Sequence, residues 1–164
     1  MSPFPPARRG VAPAHSPRIV DTALGPIECA VCGESEDVLV ALHGGMGGYD
    51  QSLLLSSCLL GDPAGRRIVA MSRPGYLETP LDVGRSPERQ ADAAAALLDA
   101  LGVSRAVVAA VSAGGPSALQ FAARHPDRCR ALALISACSG RLDVPPGLAF
   151  RLGVMRLIGR APFA

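Results

Sequence analysis

This sequence predicts an α/β fold: a mostly parallel sheet with helices on both faces, opened by an antiparallel N-terminal hairpin. Three observations carry the prediction. Short apolar runs recur along the chain, as "DVLVALHGG", "RRIVAMSRPGY", "RAVVAAVS" and "RALALISAC", and such runs suit strands covered on both faces. Helical patterns separate them. That strand–helix–strand spacing fits βαβ crossovers, which join parallel strands.

The elements follow in order. Residues 1–17 hold five prolines and no periodicity, the pattern of a disordered arm. "RIVDTALG" and "IECAVCGE" read as a strand pair turning at Gly25–Pro26. "DVLVALHGG" is the first buried strand, and "YDQSLLLSSCLLG" a helix with Gly61 past its end. "RRIVAMSRPGY" is the next strand, stopped by Pro74–Gly75. In the helix that follows, Ser86 is the N-cap, Pro87 takes the first helical position, and Glu88 and Asp92 face the positive end of the dipole. Ala91, Ala94, Leu98 and Leu101 form its apolar stripe, and Gly102 ends it. "RAVVAAVS" is a strand, "PSALQFAARH" a helix halted by Pro126, and "RALALISAC" the last strand. The core is expected over 18–140.

Composition narrows the function. With 164 residues, 49% hydrophobic and 18% charged, the chain is a globular domain rather than a disordered one. A formal net charge of +2, no Lys/Arg run and no Trp argue against a nucleic-acid partner. The opening residues lack the apolar run of an export signal, and no stretch reaches the roughly 18 residues of a membrane span. The expected setting is cytoplasmic, with reduced thiols. Of the five cysteines, only Cys29 and Cys32 have ligand-like spacing. In a strand, positions three apart face opposite ways, so the pair cannot share a metal.

The chemistry concentrates in "AVSAGGPSAL", residues 109–118. A serine hydroxyl is a weak nucleophile unless a base takes its proton and N–H donors receive the oxyanion. A sharp strand-to-helix turn exposes Oγ at the carboxyl end of a sheet, beside the free N–H groups of a helix start. Such a turn crowds the backbone and needs small residues two before and two after the serine. Around Ser112 these are Ala110 and Gly114, and Pro116 is suited to open the helix. Glycines after a strand also suit a dinucleotide loop, but "GGMGGYDQ" puts Asp50 where the third glycine of G-x-G-x-x-G would fall.

With "ALHGGMGG" after the third strand, "SRPGY" after the fourth, A-V-S-A-G at the turn and "HPDRCRALALIS" leading into the sixth, the chain resembles the α/β-hydrolase superfamily, in the members that use serine. The one departure is Ala110, where the family pattern has glycine. The resemblance implies Ser112 as nucleophile. It implies the N–H groups of Ala113 and Gly45 as oxyanion donors, with Met46 the alternative for the second. His43 and Gly44 would support that loop. No cofactor and no metal are implied, and the substrate would be a small acyl compound cleaved through an acyl-serine. Serine rather than aspartate at the turn disfavours the dehalogenase and epoxide hydrolase branches.

In this family the acid and then the histidine follow the serine. After Ser112 the chain offers Asp127, Asp143 and His125. His125 stands 13 positions along, at ~1.5 Å per residue nearly 20 Å away, too far to act as base. It is expected to help close the helix C-terminus with Arg124. Asp143 lacks a histidine to orient, and His15 lies in the arm. Residues 141–164 resemble the start of a lid; their basic amphipathic pattern would otherwise suit a membrane surface. The expectation is a truncated α/β-hydrolase fold, the N-terminal half of a serine hydrolase. It would be completed by a homodimer or a complementing C-terminal polypeptide, because the edge of the sixth strand would stand open. The rival expectation is an inactive remnant or a binding or scaffold protein of the same fold.

Overall fold

The computed structural model describes residues 16–60 and 65–140. Residues 1–15 of the arm with His15, residues 61–64 with Gly61, and the segment 141–164 with Asp143 lie outside the described residues. In chain order the elements are β1 (Arg18–Thr22), β2 (Gly25–Cys32), β3 (Val38–Leu42), α1 (Tyr49–Leu60), β4 (Arg67–Met71), α2 (Pro87–Ala100), β5 (Ala106–Val111), α3 (Gly115–Arg124) and β6 (Cys129–Ile135). Two short 3₁₀ turns, Leu81–Val83 and Ser112–Gly114, precede α2 and α3.

The six strands form one sheet in the order β1-β2-β4-β3-β5-β6. β1 and β2 pair antiparallel, as do β2 and β4; the remaining pairs are parallel. From β3 the chain crosses through α1 to β4 on one side, then through α2 to β5 on the other. Crossovers of one hand in opposite directions place their helices on opposite faces. Accordingly α1 covers Ala30, Leu39, Ala41, Ile68, Ala70 and Ala109, while α2 and α3 cover Ile27, Val40, Leu42, Val69, Val108 and Ala110. The reversal falls between β3 and β5, so the loops leaving both strands open a crevice at their carboxyl ends.

Local chemistry explains the elements. β3 is buried at all five positions, which its unbroken apolar run anticipates. Ser86 caps α2 by accepting the N–H of Arg89 at 3.3 Å, and Pro87 begins the helix. Gly102 follows it at φ +68°, a left-handed conformation that glycine adopts cheaply. Phe121 of α3 is fully buried and contributes about 2–3 kcal/mol through lost water contact. Cys29 and Cys32 lie in the two different core layers. All five cysteines are free thiols.

The hairpin turn is a correction. Thr22 pairs with Gly25, so the turn residues are Ala23 and Leu24, and Gly25–Pro26 already belong to β2. The Thr22 hydroxyl closes the corner, accepting from Leu24 N–H at 3.2 Å and donating to the Gly25 carbonyl at 2.7 Å. Gly25 absorbs the reversal at φ +123°. A side-chain-braced turn of this kind leaves only a threonine as its signal.

Among the described residues no helix is long and apolar enough to cross a membrane, and no strand lies beyond β6 at its edge of the sheet.

Candidate functional site

β3 and β5 run parallel with Leu42 opposite Ala110, so the backbone after each emerges at the same end. After β5 the chain turns at once. Ser112 has φ +50°, a left-handed conformation costing a non-glycine residue about 1–2 kcal/mol. Its side chain is exposed, and its carbonyl accepts the N–H of Cys138 at 2.9 Å. Cys138 thus ties the loop after β6 to the turn, a role that no sequence pattern announces.

The glycines around Ser112 are set by close backbone approach. A Cβ on Gly114 would lie 2.7 Å from the carbonyl oxygens of both Leu42 and His43, and one on Gly115 would lie 2.2 Å from that of Cys138. Ala110 is fully buried between β3 and β6, and its methyl is accommodated there. Ala113, half-buried, is the first residue past the serine, in the 3₁₀ turn that leads into α3.

The loop after β3 reaches the same place. A Cβ on Gly44 would be 3.2 Å from the Ser112 Cβ. Gly44 is buried, whereas Gly45 and Met46 are exposed, Met46 at φ +57°. Gly44, Gly45 and Ser112 line a cavity of about 470 Å³ whose other walls include Leu54 and Leu55 of α1, Val111 of β5 and Ile135 of β6. The structure therefore gathers Ser112, Gly44 and Gly45 at one opening.

His43 lies beneath this loop, fully buried. Its Nδ1 is 2.8 Å from the Gly44 carbonyl, and its Nε2 accepts the backbone N–H of Arg73 at 2.9 Å. These bonds fix the tautomer with the proton on Nδ1. Burial, with the Arg73 charge adding to it, pushes the imidazole pKa down to about 4. A neutral ring with its lone pair already engaged supports the loop and does not abstract a proton. His125 ends α3, where its N–H donates to the Phe121 carbonyl and its Nε2 lies 3.0 Å from Asp92. Arg124 pairs with the same carboxylate at 2.9 Å. Both described histidines are thus engaged away from Ser112.

Arg73 is the site residue that sequence reasoning missed. Nearly fully buried, it donates from Nε to the His43 carbonyl at 2.9 Å, from Nη2 to the Gly44 carbonyl at 2.8 Å, and from Nη1 to Gln90 Oε1 at 3.1 Å. Its guanidinium stands over the Tyr76 ring at 4.9 Å. The signal available was an arginine at the end of an apolar strand, in "RIVAMSRPGY". A second buried network fixes α1: Ser72 Oγ donates to Glu28 Oε2 at 2.7 Å and accepts the Tyr49 N–H at 2.9 Å.

A family model for the alpha/beta hydrolase fold matches residues 37–157, and the chain belongs to that family. It is 33% identical to an uncharacterised hydrolase, YcgS, of Bacillus subtilis (strain 168), over 79% of this chain and 44% of the relative. It is 38% identical to a 2-hydroxymuconate semialdehyde hydrolase of Pseudomonas putida, over 51% of this chain and 30% of that protein. Among solved structures, an alpha/beta hydrolase fold protein from Nakamurella multipartita is similar with a TM-score of 0.73 and 42% identity, over 79% of this chain and 44% of its own. The chain spans less than half the length of these relatives.

Proposed function

We propose that this chain carries the nucleophile half of a serine hydrolase acting on small acyl compounds. Ser112 Oγ attacks the acyl carbonyl, and the oxyanion is received by the N–H groups of Ala113 and Gly45, with Met46 the alternative second donor. The leaving group departs with a proton, and water then cleaves the acyl-serine. The acyl part rests on Leu54, Leu55 and Ile135. The proton on Oγ goes to a histidine that the described residues do not supply, brought by a C-terminal polypeptide. No cofactor enters the reaction, and the setting is cytoplasmic.

One observation carries this reading: an exposed serine at φ +50° stands beside Gly44 at the mouth of an apolar cavity. Backbone strain held in place at a cavity mouth is a mark of functional sites. A second reading, a binding protein that retains the fold, is favoured by the engagement of both described histidines elsewhere.

An alkyl fluorophosphonate separates the two. Labelling of Ser112 that Ser112→Ala abolishes supports the hydrolase half. If the chain stays unlabelled even when supplied with the C-terminal half of a relative, the binding reading stands.

A further inference from the structure

We propose that Arg73 is the positioning residue of the oxyanion site, acting through the Gly44–Gly45 peptide to aim the Gly45 N–H at the space before Ser112. The inference rests on the reading of Ser112 given above.

The argument begins with the peptide unit. The Gly44 carbonyl and the Gly45 N–H belong to one planar group, and the chain holds no cis peptide bond among the described residues. In a trans peptide the two point in opposite directions. Whatever fixes the carbonyl therefore fixes the N–H. Two donors meet the Gly44 carbonyl from the protein interior, Arg73 Nη2 and His43 Nδ1, each at 2.8 Å. The Gly45 N–H is thereby turned outward, and Gly45 is exposed with nothing within 4 Å of where its Cβ would stand.

Why an arginine does this follows from its cost. A guanidinium buried to this depth loses much of its hydration, and a paired carboxylate is the usual compensation. Here Arg73 bonds to neutral acceptors throughout: two backbone carbonyls and a glutamine amide. The planar fork reaches the carbonyls of two successive residues at once, which a lysine's single point charge cannot do. Gln90, which takes Nη1, is itself held by the Ser117 hydroxyl at 2.7 Å, so the fork is anchored from α2 and α3. A positive charge held by the Tyr76 ring and neutral acceptors, with no carboxylate bonded to it, also polarises the peptide it grips. A carbonyl accepting two strong bonds makes its partner N–H a better donor, and that N–H faces the cavity where negative charge would develop.

The test combines amide NMR on the chain as it exists with fluorophosphonate-labelling kinetics on the same chain, alone and supplied with the C-terminal half of a relative. In the wild type the Gly45 amide proton is expected to show the large temperature coefficient of an N–H without an internal acceptor, and to move downfield once Ser112 is phosphonylated. Removing an oxyanion donor outright costs about 10²–10³-fold in rate; Arg73→Met leaves the donor but frees its peptide, so a loss of about 10–100-fold in the saturating labelling rate is expected. The half-saturating probe concentration stays within about twofold, because the acyl groove is untouched. Arg73→Lys, which keeps the charge and loses the fork, recovers only part of the rate. A Gly45 N–H bonded internally in the wild type overturns the proposal. So does a folded Arg73→Met that reacts at the wild-type rate. If neither variant folds, the wild-type amide measurement decides alone. If the wild type is never labelled, even with the C-terminal half of a relative supplied, the nucleophile reading falls, and the Gly45 amide shift between wild type and Arg73→Lys still decides the role of Arg73.

Discussion

Gly114 packs against Leu42 so closely that a Cβ there would stand 2.7 Å from the Leu42 carbonyl oxygen. The obstructing atom is main chain at the end of a central strand, so it cannot rotate away. Gly114→Ala is expected to lower the unfolding free energy by about 1–3 kcal/mol, as overpacking does. Gly45, with open space around its Cβ position, is the contrast: Gly45→Ala should stay within about 0.5 kcal/mol of wild type. Urea unfolding of both variants checks the pair, and equal losses would contradict the packing described.

His43 gives stability a pH dependence of known sign. Its folded pKa of about 4 lies below the ordinary 6.5, so the unfolded chain takes up the proton first as pH falls. The contribution is fully present above the unfolded value and is lost as pH drops from about 6.5 toward 4. Protonation would also set a ring N–H against the backbone N–H of Arg73. Between pH 7.5 and 4.5 the wild type is expected to lose about 2–3 kcal/mol that His43→Asn does not lose. Denaturant midpoints across that range measure the difference; a constant gap between the two proteins would show that the ring is not held neutral.

Ser112 should be better for reactivity than for stability. Ser112→Gly removes the left-handed penalty and adds back some unfolded-state entropy, for a net gain of about 0.5–1 kcal/mol. Ser112→Val, branched at Cβ, should lose stability at the same position. Thermal unfolding reads both changes. Fluorophosphonate labelling is lost in each.

The fold was largely legible because its signals are local. Buried strands are short apolar runs, and Ser86 with Pro87 marks a helix start by chemistry confined to a few neighbours. The hairpin turn was misplaced by two residues, since Thr22 closes it with a side-chain bond that resembles any other threonine in sequence. At the site, the Gly-rich loop and the serine turn were readable. Arg73 was not, because its meaning lies in carbonyls contributed thirty positions earlier.

The sequence by itself determined the order of strands and helices, the small residues around Ser112, and the lack of a nearby histidine along the chain after it. Periodicity and backbone sterics act over a few residues and are written there. Only the tertiary structure decided that Gly114 must clear Leu42, that His43 is held neutral, and that a buried arginine grips the Gly44 peptide. Those outcomes depend on which strand ends are brought together by the β3–β5 pairing, and distance through space is not a property of distance along the chain.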